Sequence, residues 1–250
     1  MRAIVVGASS GLGRCIAVGL ARRGDQVAVL ARRHDLLTET AKEAGPGALA
    51  IACDVTDEAA SRRAIDEAAA GLGGVDALVY TPGIGPLVRL VDTDAETWRR
   101  AFDINVIGAA LATKAALPHL DAAKGVAAYL SSVSASLTPP WPGLGAYAVS
   151  KAALDKLIEA WRAEHPHIGF TRVVVGDCAG GEGDAQTQFP FASDWDWDLA
   201  AELHPTWQAR NYLAGSLLDV EILVGVVHHV LHCGADGSIP SVAVVPRPPA

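Results

Sequence analysis

A regular alternation of short apolar runs with longer helix-like segments most constrains the fold of this chain. Each apolar run has the length of a β-strand and lacks the polar alternation of a strand with one face in water. We predict strands from seven such runs, at residues 3–6, 26–30, 48–52, 77–80, 126–130, 170–175 and 242–245. Strands that are apolar on both faces need helices on both sides. The pattern therefore predicts a doubly wound parallel sheet in a three-layer α/β/α fold.

The segments between these runs carry Ala, Leu and Ile at helical spacing. They span residues 12–23, 36–44, 58–71, 95–117, 148–163 and 220–231. Thr56 or Asp57 can cap the third segment and Asp94 the fourth, and Pro118 should end or kink the fourth. From Gly176 to about residue 205 the alternation stops, and we expect a long irregular excursion there.

The length and the net charge limit the class of protein. A chain of 250 residues with 28 acidic and 20 basic side chains carries a formal charge of −8. This length fits one α/β domain over residues 1–250, and the charge provides no positive field to attract nucleic acid or an anionic membrane. Any phosphate ligand must therefore be held by a local cluster of donors.

The cysteines and the apolar runs indicate the compartment. The four cysteines are scattered without C-x-x-C spacing, which is typical of buried thiols in a reducing environment. The apolar stretch near the start is too short for a signal sequence, and no apolar run approaches the roughly 18 residues of a membrane span. We therefore expect a cytoplasmic protein.

A glycine-rich turn joins the first strand to the first helix. Its glycines allow the backbone to approach a ligand closely, and the helix that follows presents unpaired N–H groups and the positive end of its dipole. A pyrophosphate fits there, although a tight turn can need glycine for steric reasons alone. We expect the contacts from Gly7, Ser9, Ser10, Gly11, Leu12 and Gly13.

The end of the second strand indicates which dinucleotide binds. An NAD site would place an acid there for the ribose 2′-hydroxyl, whereas this chain has Arg32 and Arg33. A guanidinium can donate two charge-assisted hydrogen bonds to a 2′-phosphate, so we predict NADP (NADPH) as the cofactor. Arg14 would complete a small cationic patch with these two arginines. After the third strand, Asp54 can accept from the adenine amino group or serve as a turn or cap residue.

Tyr147 and Lys151 lie one helical turn apart on one helix face. A free phenol has a pKa of about 10, and lowering it by about 3 units needs about 4 kcal/mol. A nearby ammonium in a partly dry site, helped by an oxidised nicotinamide, can supply stabilisation of that order. Tyr147 could then exchange a proton with a carbonyl oxygen as hydride reaches the carbonyl carbon. By itself the spacing is also common in purely structural helices.

Together these motifs resemble the short-chain dehydrogenase/reductase family, in its single-domain, NADP-preferring branch, over essentially the whole chain. The resemblance implies a Rossmann fold and an NADP(H)-dependent oxidoreductase that interconverts a ketone or aldehyde and an alcohol. It also implies a homodimer or homotetramer. The motifs that carry it, in the family's order, are Gly7-x-x-x-Gly11-x-Gly13, Asp54-Val55, Asn105, a serine cluster after the fifth strand and Tyr147-x-x-x-Lys151.

The resemblance also implies roles for single residues. Tyr147 would be the general acid/base, and Lys151 would bind the nicotinamide ribose and lower the pKa of Tyr147. Asn105 would help to anchor a proton-relay water, or it could satisfy local backbone at a helix bend. A serine would hold the substrate carbonyl: the end of the fifth strand points to Ser132, whereas spacing from Tyr147 points to Ser134. We choose Ser132, because a strand end is a firmer reference than a Pro-rich loop.

Two stretches depart from the family's pattern. Thr81-Pro82-Gly83 replaces the usual Asn-Ala-Gly after the fourth strand. Thr81 has less reach than asparagine and Pro82 lacks a backbone donor, while Gly83 still allows close approach to the cofactor. The Pro-Gly pair usual after the sixth strand is absent from residues 176–180, so no contact to the nicotinamide amide is assigned there.

The family's substrate lid follows the sixth strand, and we assign residues 176–215 to it. Large aromatic side chains in this stretch and just before Tyr147 suit an apolar or ring-bearing small molecule. Equally, they could pack the lid or a contact between subunits. They are Trp141, Phe189, Phe191, Trp195, Trp197 and Trp207.

We expect no metal site. Asp194, Asp196 and Asp198 alternate with tryptophans, which is typical of a solvated turn and a helix start. His228 and His232 share a helix face, but the sequence shows neither a third ligand nor an acidic partner for them. We therefore place these histidines on a helix surface or at a subunit interface.

Two other functions compete with the oxidoreductase. An NADP-binding sensor or regulator without redox activity would explain the altered Thr81-Pro82 and the missing Pro-Gly, but it would not need a proton donor such as Tyr147. Sugar-nucleotide epimerase or dehydratase chemistry usually comes with a larger C-terminal substrate domain than the residues after Val175 can form.

Overall fold

Seven parallel strands form a single sheet in the structure, a computed structural model that describes residues 1–180, 190–213 and 215–247. The strands are β1 (Arg2–Val6), β2 (Gln26–Ala31), β3 (Leu49–Ala52), β4 (Ala77–Tyr80), β5 (Val126–Ser132), β6 (Gly169–Val175) and β7 (Ser241–Val244). Their order across the sheet is β3-β2-β1-β4-β5-β6-β7. The chain adds β2 and β3 on one side of β1 and the remaining strands, from β4 onward, on the other side. Each strand overlaps one predicted apolar run, which confirms the doubly wound parallel sheet.

Helices cover both faces of this sheet. They are α1 (Gly11–Arg22), α2 (His34–Ala44), α3 (Glu58–Leu72), α4 (Ala95–Phe102), α5 (Gly108–Ala123), α6 (Val133–Ser136), α7 (Gly145–Glu164), α8 (Trp197–Ala209) and α9 (Val220–Leu231). One buried layer contains side chains of α1, α2 and α9, and the other contains side chains of α3, α5 and α7. Ala3 and Val5 of β1 join the first layer, whereas Ile4 and Val6 join the second. This two-sided burial explains why the strands are apolar throughout.

Polar caps begin several helices where the sequence indicates. The Asp57 carboxylate accepts from the Ala60 N–H at 3.0 Å, so Asp57 rather than Thr56 caps α3. The Asp94 carboxylate accepts from the Thr97 N–H at 2.7 Å and caps α4. These caps satisfy backbone donors that the first helical turn leaves unpaired.

The predicted segment 95–117 is longer in the structure than the sequence indicates. A π-helical turn, Asp103–Ile107, joins α4 to α5. Pro118 does not end the segment, because it lies inside α5, which continues to Ala123. Burial of Ala116 and Leu120 on either side of Pro118 holds the helix together although proline removes one backbone hydrogen bond.

The excursion after β6 is more regular than expected, since it contains α8. The Asp196 carboxylate accepts from two N–H groups at 2.9 and 3.2 Å and caps this helix, as the helix-start interpretation of the acidic cluster predicts. Pro205 lies inside α8, and because proline usually breaks a helix, the sequence pattern does not predict α8. The short α6 was also not expected. Gly181 to Phe189 of the predicted lid lie outside the described residues.

The cysteines and two histidines near the end of the chain correct one expectation and refine another. All four cysteines are free, but only Cys53 is buried, while the other three are half-buried. His228 on α9 and His232 just after it do have an acidic partner, the buried Asp25 just before β2, so the expectation of none is wrong. Within the described residues no helix combines the length and the apolarity needed to cross a bilayer.

Candidate active site

A cleft of about 1280 Å³ opens at the carboxyl ends of the strands, beside the point where the strand order reverses. Ligands of open α/β sheets bind at this kind of switch point. Among the predicted site residues Asn105 is outside the lining. The others all line it: Gly7, Ser9, Ser10, Gly11, Leu12, Gly13, Arg32, Arg33, Asp54, Val55, Thr81, Gly83, Ser132, Tyr147 and Lys151.

The glycine turn between β1 and α1 has a conformation that only glycine adopts readily. Gly7 and Gly11 have φ angles of +83° and +57°, in the left-handed region. A Cβ on Gly13 would lie 2.4 Å from the Gly7 carbonyl oxygen, so the turn also excludes side chains sterically. Within the described part of the chain, the Ser10 side chain makes no capping hydrogen bond at the start of α1. The first N–H groups of α1 are thus available to an anionic ligand.

Thr81, the first departure from the family's pattern, holds this turn from the side of β4. Its hydroxyl donates to the Val6 carbonyl oxygen at 2.6 Å. A Cβ on Gly7 or on Gly13 would lie 2.6 or 2.4 Å from the Thr81 oxygen, so the threonine side chain fills the space between the two glycines. A short β-branched side chain fits this gap. Thr81 therefore positions the glycine turn, although its side chain reaches less far than that of asparagine.

The arginines at the end of β2 occupy different places. Arg33 donates to the Ser9 and Ser10 hydroxyls at 3.1 and 2.5 Å and so lies over the glycine turn. Arg32 is exposed and lines the cleft. Arg14 is not part of a cationic patch there, because it forms an ion pair with Glu43 and does not line the cleft. The cations around the predicted 2′-phosphate position are therefore Arg32 and Arg33.

Asp54 serves as a turn residue at the end of β3. One carboxylate oxygen accepts from the Thr56 N–H at 3.0 Å and from the Thr56 hydroxyl at 2.8 Å. These hydrogen bonds, with a contribution from the charge of Arg32, hold the pKa of Asp54 below its usual value. The predicted turn role is thus present, and the position of Asp54 on the cleft also leaves the adenine role open to test.

Tyr147 lies near the start of α7 and lines the cleft. Burial raises the pKa of Tyr147 to about 12, and a hydrogen bond with Ser132 opposes that effect. The Phe191 ring meets the Tyr147 ring edge-on, with centroids 4.8 Å apart. At neutral pH the phenol is therefore protonated and ready to donate a proton.

Lys151 is only 4% exposed, and its ammonium donates to the Leu130 carbonyl oxygen at 2.8 Å. Burial lowers the pKa of Lys151 to about 8. The Lys151 nitrogen lies 6.0 Å from the centre of the Tyr147 ring. The predicted effect of Lys151 on the pKa of Tyr147 also involves an oxidised nicotinamide, so it stays a prediction.

Asp155 is a buried acid beside this pair that the sequence analysis missed. It follows Lys151 by one helical turn, so the same spacing argument could have found it. Its carboxylate accepts from the Arg172 guanidinium at 3.1 Å. Burial raises the pKa of Asp155, while Ser131, Arg172 and Lys151 oppose that rise. Asp155 thus supports the ammonium form of Lys151.

The two candidate serines stand together at the end of β5. Ser132 caps α6, accepting from the Ser134 N–H at 3.2 Å, and its hydroxyl lies 2.9 Å from the Ser134 hydroxyl. Both serines line the cleft, and Ser132 also opposes the effect of burial on the pKa of Tyr147. The choice of Ser132 over Ser134 as the substrate serine stays a prediction.

Asn105 is fully buried in the π-helical turn. Its amide oxygen accepts from the Ile84 N–H at 2.9 Å, and its amide nitrogen donates to the Ile84 carbonyl at 3.0 Å and to the Ser150 hydroxyl at 2.8 Å. These three bonds hold the loop after β4 against α7. Ile84 and Ser150 are far from Asn105 in the sequence, so the side chain does not satisfy local backbone at a helix bend, and the proton-relay role stays a prediction.

A third apolar cluster covers the mouth of the cleft near Tyr147. Its buried members are Leu87, Leu144, Ala200, Leu203 and Trp207, and its partly buried members include Trp141, Phe191 and Trp195. The indole N–H groups of Trp195 and Trp207 donate to the Gly85 and Pro142 carbonyls at 2.8 and 2.9 Å. Trp197 is mostly exposed, and Phe189 lies outside the described residues. Predicted lid aromatics therefore both pack together and line the cleft.

Comparison with known proteins identifies relatives for most of the chain. A model of the short chain dehydrogenase family matches residues 1–188. A short chain dehydrogenase of Pseudocercospora fijiensis is 38% identical over 167 residues, which cover 65% of this chain and 54% of that protein. The protein named 11-beta-hydroxysteroid dehydrogenase-like 3 of Arabidopsis thaliana is 35% identical over 179 residues, covering 69% of this chain and 57% of that protein. The matches span about half the length of these curated relatives.

A solved structure agrees over nearly the whole fold. A short-chain type dehydrogenase/reductase from Mycobacterium marinum superposes with a TM-score of 0.81 at 28% sequence identity, covering 98% of this chain and 93% of that chain. The family match ends before α8 and α9. The glycine turn and the Tyr147–Lys151 pair thus lie inside the matched region. The members of the third apolar cluster from Phe191 onward, which include Trp195 and Trp207, lie beyond it.

Proposed function

The chain belongs to the short-chain dehydrogenase family of NAD(P)-dependent oxidoreductases, and from that premise we propose that it interconverts a ketone or aldehyde and an alcohol with NADP(H). One observation carries the proposal: the Tyr147 phenol, one helical turn from Lys151, shares a cleft with Ser132 and the glycine turn. We also propose that residues 1–250 act as one domain and that residues 176–215 serve as its substrate lid.

The residues of the cleft fit a dinucleotide. The left-handed glycine turn and the uncapped start of α1 would hold the pyrophosphate, and Lys151 would donate to the nicotinamide ribose. When bound, the reduced nicotinamide supplies a hydride to the carbonyl carbon. Ser132 would donate a hydrogen bond to the carbonyl oxygen, and Tyr147 would transfer its phenolic proton to that oxygen, completing the alcohol. An alkoxide is more basic than a phenolate, so this transfer is downhill although burial raises the pKa of Tyr147.

The preference for NADP(H) rests on Arg32 and Arg33. Both side chains line the cleft at the end of β2, where an acid would be needed for the 2′-hydroxyl of NAD. Arg33 already has two hydroxyl partners on the glycine turn, which hold its guanidinium beside the proposed cofactor site. Arg32 is the more available of the two for a bidentate contact with the 2′-phosphate.

Replacing Arg32 by Ala should weaken NADPH binding about 10- to 100-fold, since a hydrogen bond to a charged group contributes about 1.5–3 kcal/mol. The dissociation constant for NADH should stay the same, because NADH has no 2′-phosphate. Fluorescence titration with each dinucleotide measures both constants. Arg62→Ala, at an exposed position of α3, is the matched control and should change neither. Equal losses for NADPH and NADH would contradict the assignment.

We propose an apolar, ring-bearing substrate. The space in front of Tyr147 is bounded by Phe191, Trp195 and Leu144, which favour an apolar ligand. Among the described residues, the buried indole nitrogen of Trp141 has no hydrogen-bond partner, so it could donate to a polar substituent of such a ligand. The name of the Arabidopsis relative refers to a hydroxysteroid, which is a ring-bearing alcohol of this kind.

An NADPH-oxidation screen over carbonyl compounds graded in size and aromaticity tests the proposed function. We expect turnover with bulky apolar ketones and little with small polar ones. Phe191 lies so close to Gly85 that a Cβ there would meet its ring at 2.0 Å, and it also covers Tyr147. Phe191→Ala should therefore raise KM for the bulky substrates about 10-fold through lost packing, with NADPH affinity unchanged. Selection of small polar carbonyls would overturn the substrate proposal.

The same screen separates the enzyme from a cofactor-binding sensor. A sensor would bind NADPH without turnover of any carbonyl compound. The altered Thr81 was the main argument for it, and the hydroxyl bond of Thr81 to Val6 supplies a structural reason for that residue instead. The buried Lys151 and Asp155, which a sensor would not need, favour the enzyme.

A further inference from the structure

A second polar cluster lies away from the cleft, where the turn after α1 meets the end of α9. Asp25 precedes β2, and its side chain is only 3% exposed. One Asp25 oxygen lies 3.1 Å from Nε2 of His232, and the other lies 3.9 Å from Nε2 of His228. The two imidazole rings stack with centroids 4.1 Å apart. None of the three residues lines the cleft.

The hydrogen bonds of His232 determine which ring nitrogen faces the acid as an acceptor. Nδ1 of His232 lies 2.9 Å from the His228 carbonyl oxygen, and since a carbonyl only accepts, Nδ1 carries the hydrogen. In the neutral ring Nε2 then presents a lone pair to the Asp25 oxygen at 3.1 Å. Two acceptors at this distance repel each other, so either a shared hydrogen or a metal ion must lie between them.

The second oxygen of Asp25 points to the same requirement. Its Oδ2 is buried and has no hydrogen-bond partner among the described residues. Oδ1 already meets His232 and also the amino group of Met1, at 3.1 Å. A buried carboxylate oxygen without a partner costs free energy, and a ligated cation would remove that cost. Arg23, whose charge acts on His228, is already paired with Glu221 at 3.1 Å.

We propose that Asp25, His228 and His232 form a binding site for a divalent transition-metal ion, with Zn²⁺ the best match. The three ligand atoms lie within 4.8 Å of one another. Zinc bonds of about 2.0–2.1 Å in a tetrahedron place neighbouring ligand atoms about 3.3 Å apart. The 3.1 Å separation of His232 Nε2 from Asp25 Oδ1 is close to that distance, and His228 Nε2 lies 3.9 Å from the other carboxylate oxygen.

The ligand set and its support also fit zinc. Two histidines at i and i+4 present their nitrogens on one helix face, as in many zinc sites. The bond from His232 Nδ1 to a backbone carbonyl is the kind of support that orients a metal-binding imidazole. With three protein ligands, a water would take the fourth position. Such an ion would clamp α9 to the turn before β2, on the far side of the sheet from Tyr147.

Metal binding to the untagged protein tests this proposal without relying on activity. After dialysis against a chelator, titration with Zn²⁺ should show one ion bound per chain, and Co²⁺ should give the visible absorption of a low-coordinate site. His228→Gln and His232→Gln should each weaken Zn²⁺ binding at least about 10-fold. His229→Gln, at the exposed histidine next to the cluster, is the matched control and should bind Zn²⁺ like the unaltered chain.

The unfolding temperature supplies a second readout. Zn²⁺ should raise it for the unaltered chain and for His229→Gln, but not for His232→Gln, because only an intact site binds the folded state preferentially. The absence of stoichiometric Zn²⁺ binding by the folded protein would overturn the proposal. The proposal would also be overturned if His228→Gln and His232→Gln bound Zn²⁺ as tightly as the unaltered chain. The cluster would then be a metal-free contact between Asp25 and the two histidines. If either variant fails to fold, the Co²⁺ spectrum of the unaltered chain decides.

Discussion

Replacement of Tyr147 by Phe is expected to lower kcat for carbonyl reduction by about 10²–10⁴-fold, the usual contribution of a positioned general acid. The substitution removes one oxygen and leaves the ring that packs against Phe191. The dissociation constant for NADPH should stay the same, because the proposed contacts of the glycine turn and the two arginines are with the other end of the cofactor. Steady-state kinetics with the best ketone from the screen, together with NADPH titration, measure both quantities.

The pH dependence adds a readout that a structural role would not change. Burial raises the pKa of Tyr147 to about 12, so the phenol keeps its proton through the neutral range. Reduction uses the protonated phenol and should vary little around neutral pH, whereas alcohol oxidation needs the phenolate and should become faster as the pH rises. Tyr147→Phe should abolish the rise in oxidation. A variant that keeps it would show that another group transfers the proton.

Replacement of Lys151 by Met should abolish most turnover and yet stabilise the fold. Lys151 is buried, and burial lowers its pKa from 10.5 to about 8. This difference corresponds to about 3 kcal/mol at neutral pH, as an order of magnitude. Loss of the hydrogen bond to the Leu130 carbonyl offsets about 1 kcal/mol of that gain. We therefore expect the free energy of unfolding to increase by about 1–2 kcal/mol near pH 7.

The direction of the pH effect follows from proton binding. Below about pH 8 lysine is protonated in both states, and the full cost of burying its charge is present. Between about pH 8 and 10.5 the unfolded chain binds a proton that the folded chain has lost, so Lys151 makes the unaltered protein more stable as the pH rises. In Lys151→Met this contribution disappears, and the stability difference between the two proteins shrinks towards the alkaline end.

Urea unfolding at about pH 7 and about pH 10 measures both effects. Lys156→Met is the matched control, because Lys156 lies on the same helix with its side chain 78% exposed. That variant should change stability little at either pH. If Lys151→Met were less stable than the unaltered chain at neutral pH, the buried ammonium would instead be a stabilising element of the fold.

Local sequence signals were sufficient for the sheet and for much of the candidate site. The strands are buried on both faces, so each leaves an uninterrupted apolar run that periodicity detects. The glycine turn and the Tyr147–Lys151 pair are similarly local, because a tight turn and a helix face each involve neighbouring residues. The structure brings these parts into one cleft. Arg32 could be placed there because it directly follows a recognisable strand.

Features that depend on distant parts of the chain could not be predicted. Asp25 is near the start of the sequence, whereas His228 and His232 are near its end. Only the packing of α9 against α1 brings the three residues together. Arg14 was misplaced because its partner, Glu43, belongs to the next helix. The pKa of Tyr147 depends on how completely the phenol is desolvated, which no spacing rule contains.

The π-helical turn Asp103–Ile107 affects the angular phase of the helices around it. A regular helix advances about 100° per residue, so one extra residue in a turn rotates everything after it by about that angle. The side chains of α5 therefore point in directions about 100° away from those that a regular continuation of α4 would give, although α4 and α5 form one continuous segment. This offset turns Asn105 inward towards Ile84 and Ser150 without rotating the buried face of α5 away from its layer. The wide turn thus lets one helical segment pack against two parts of the molecule, the sheet and α7.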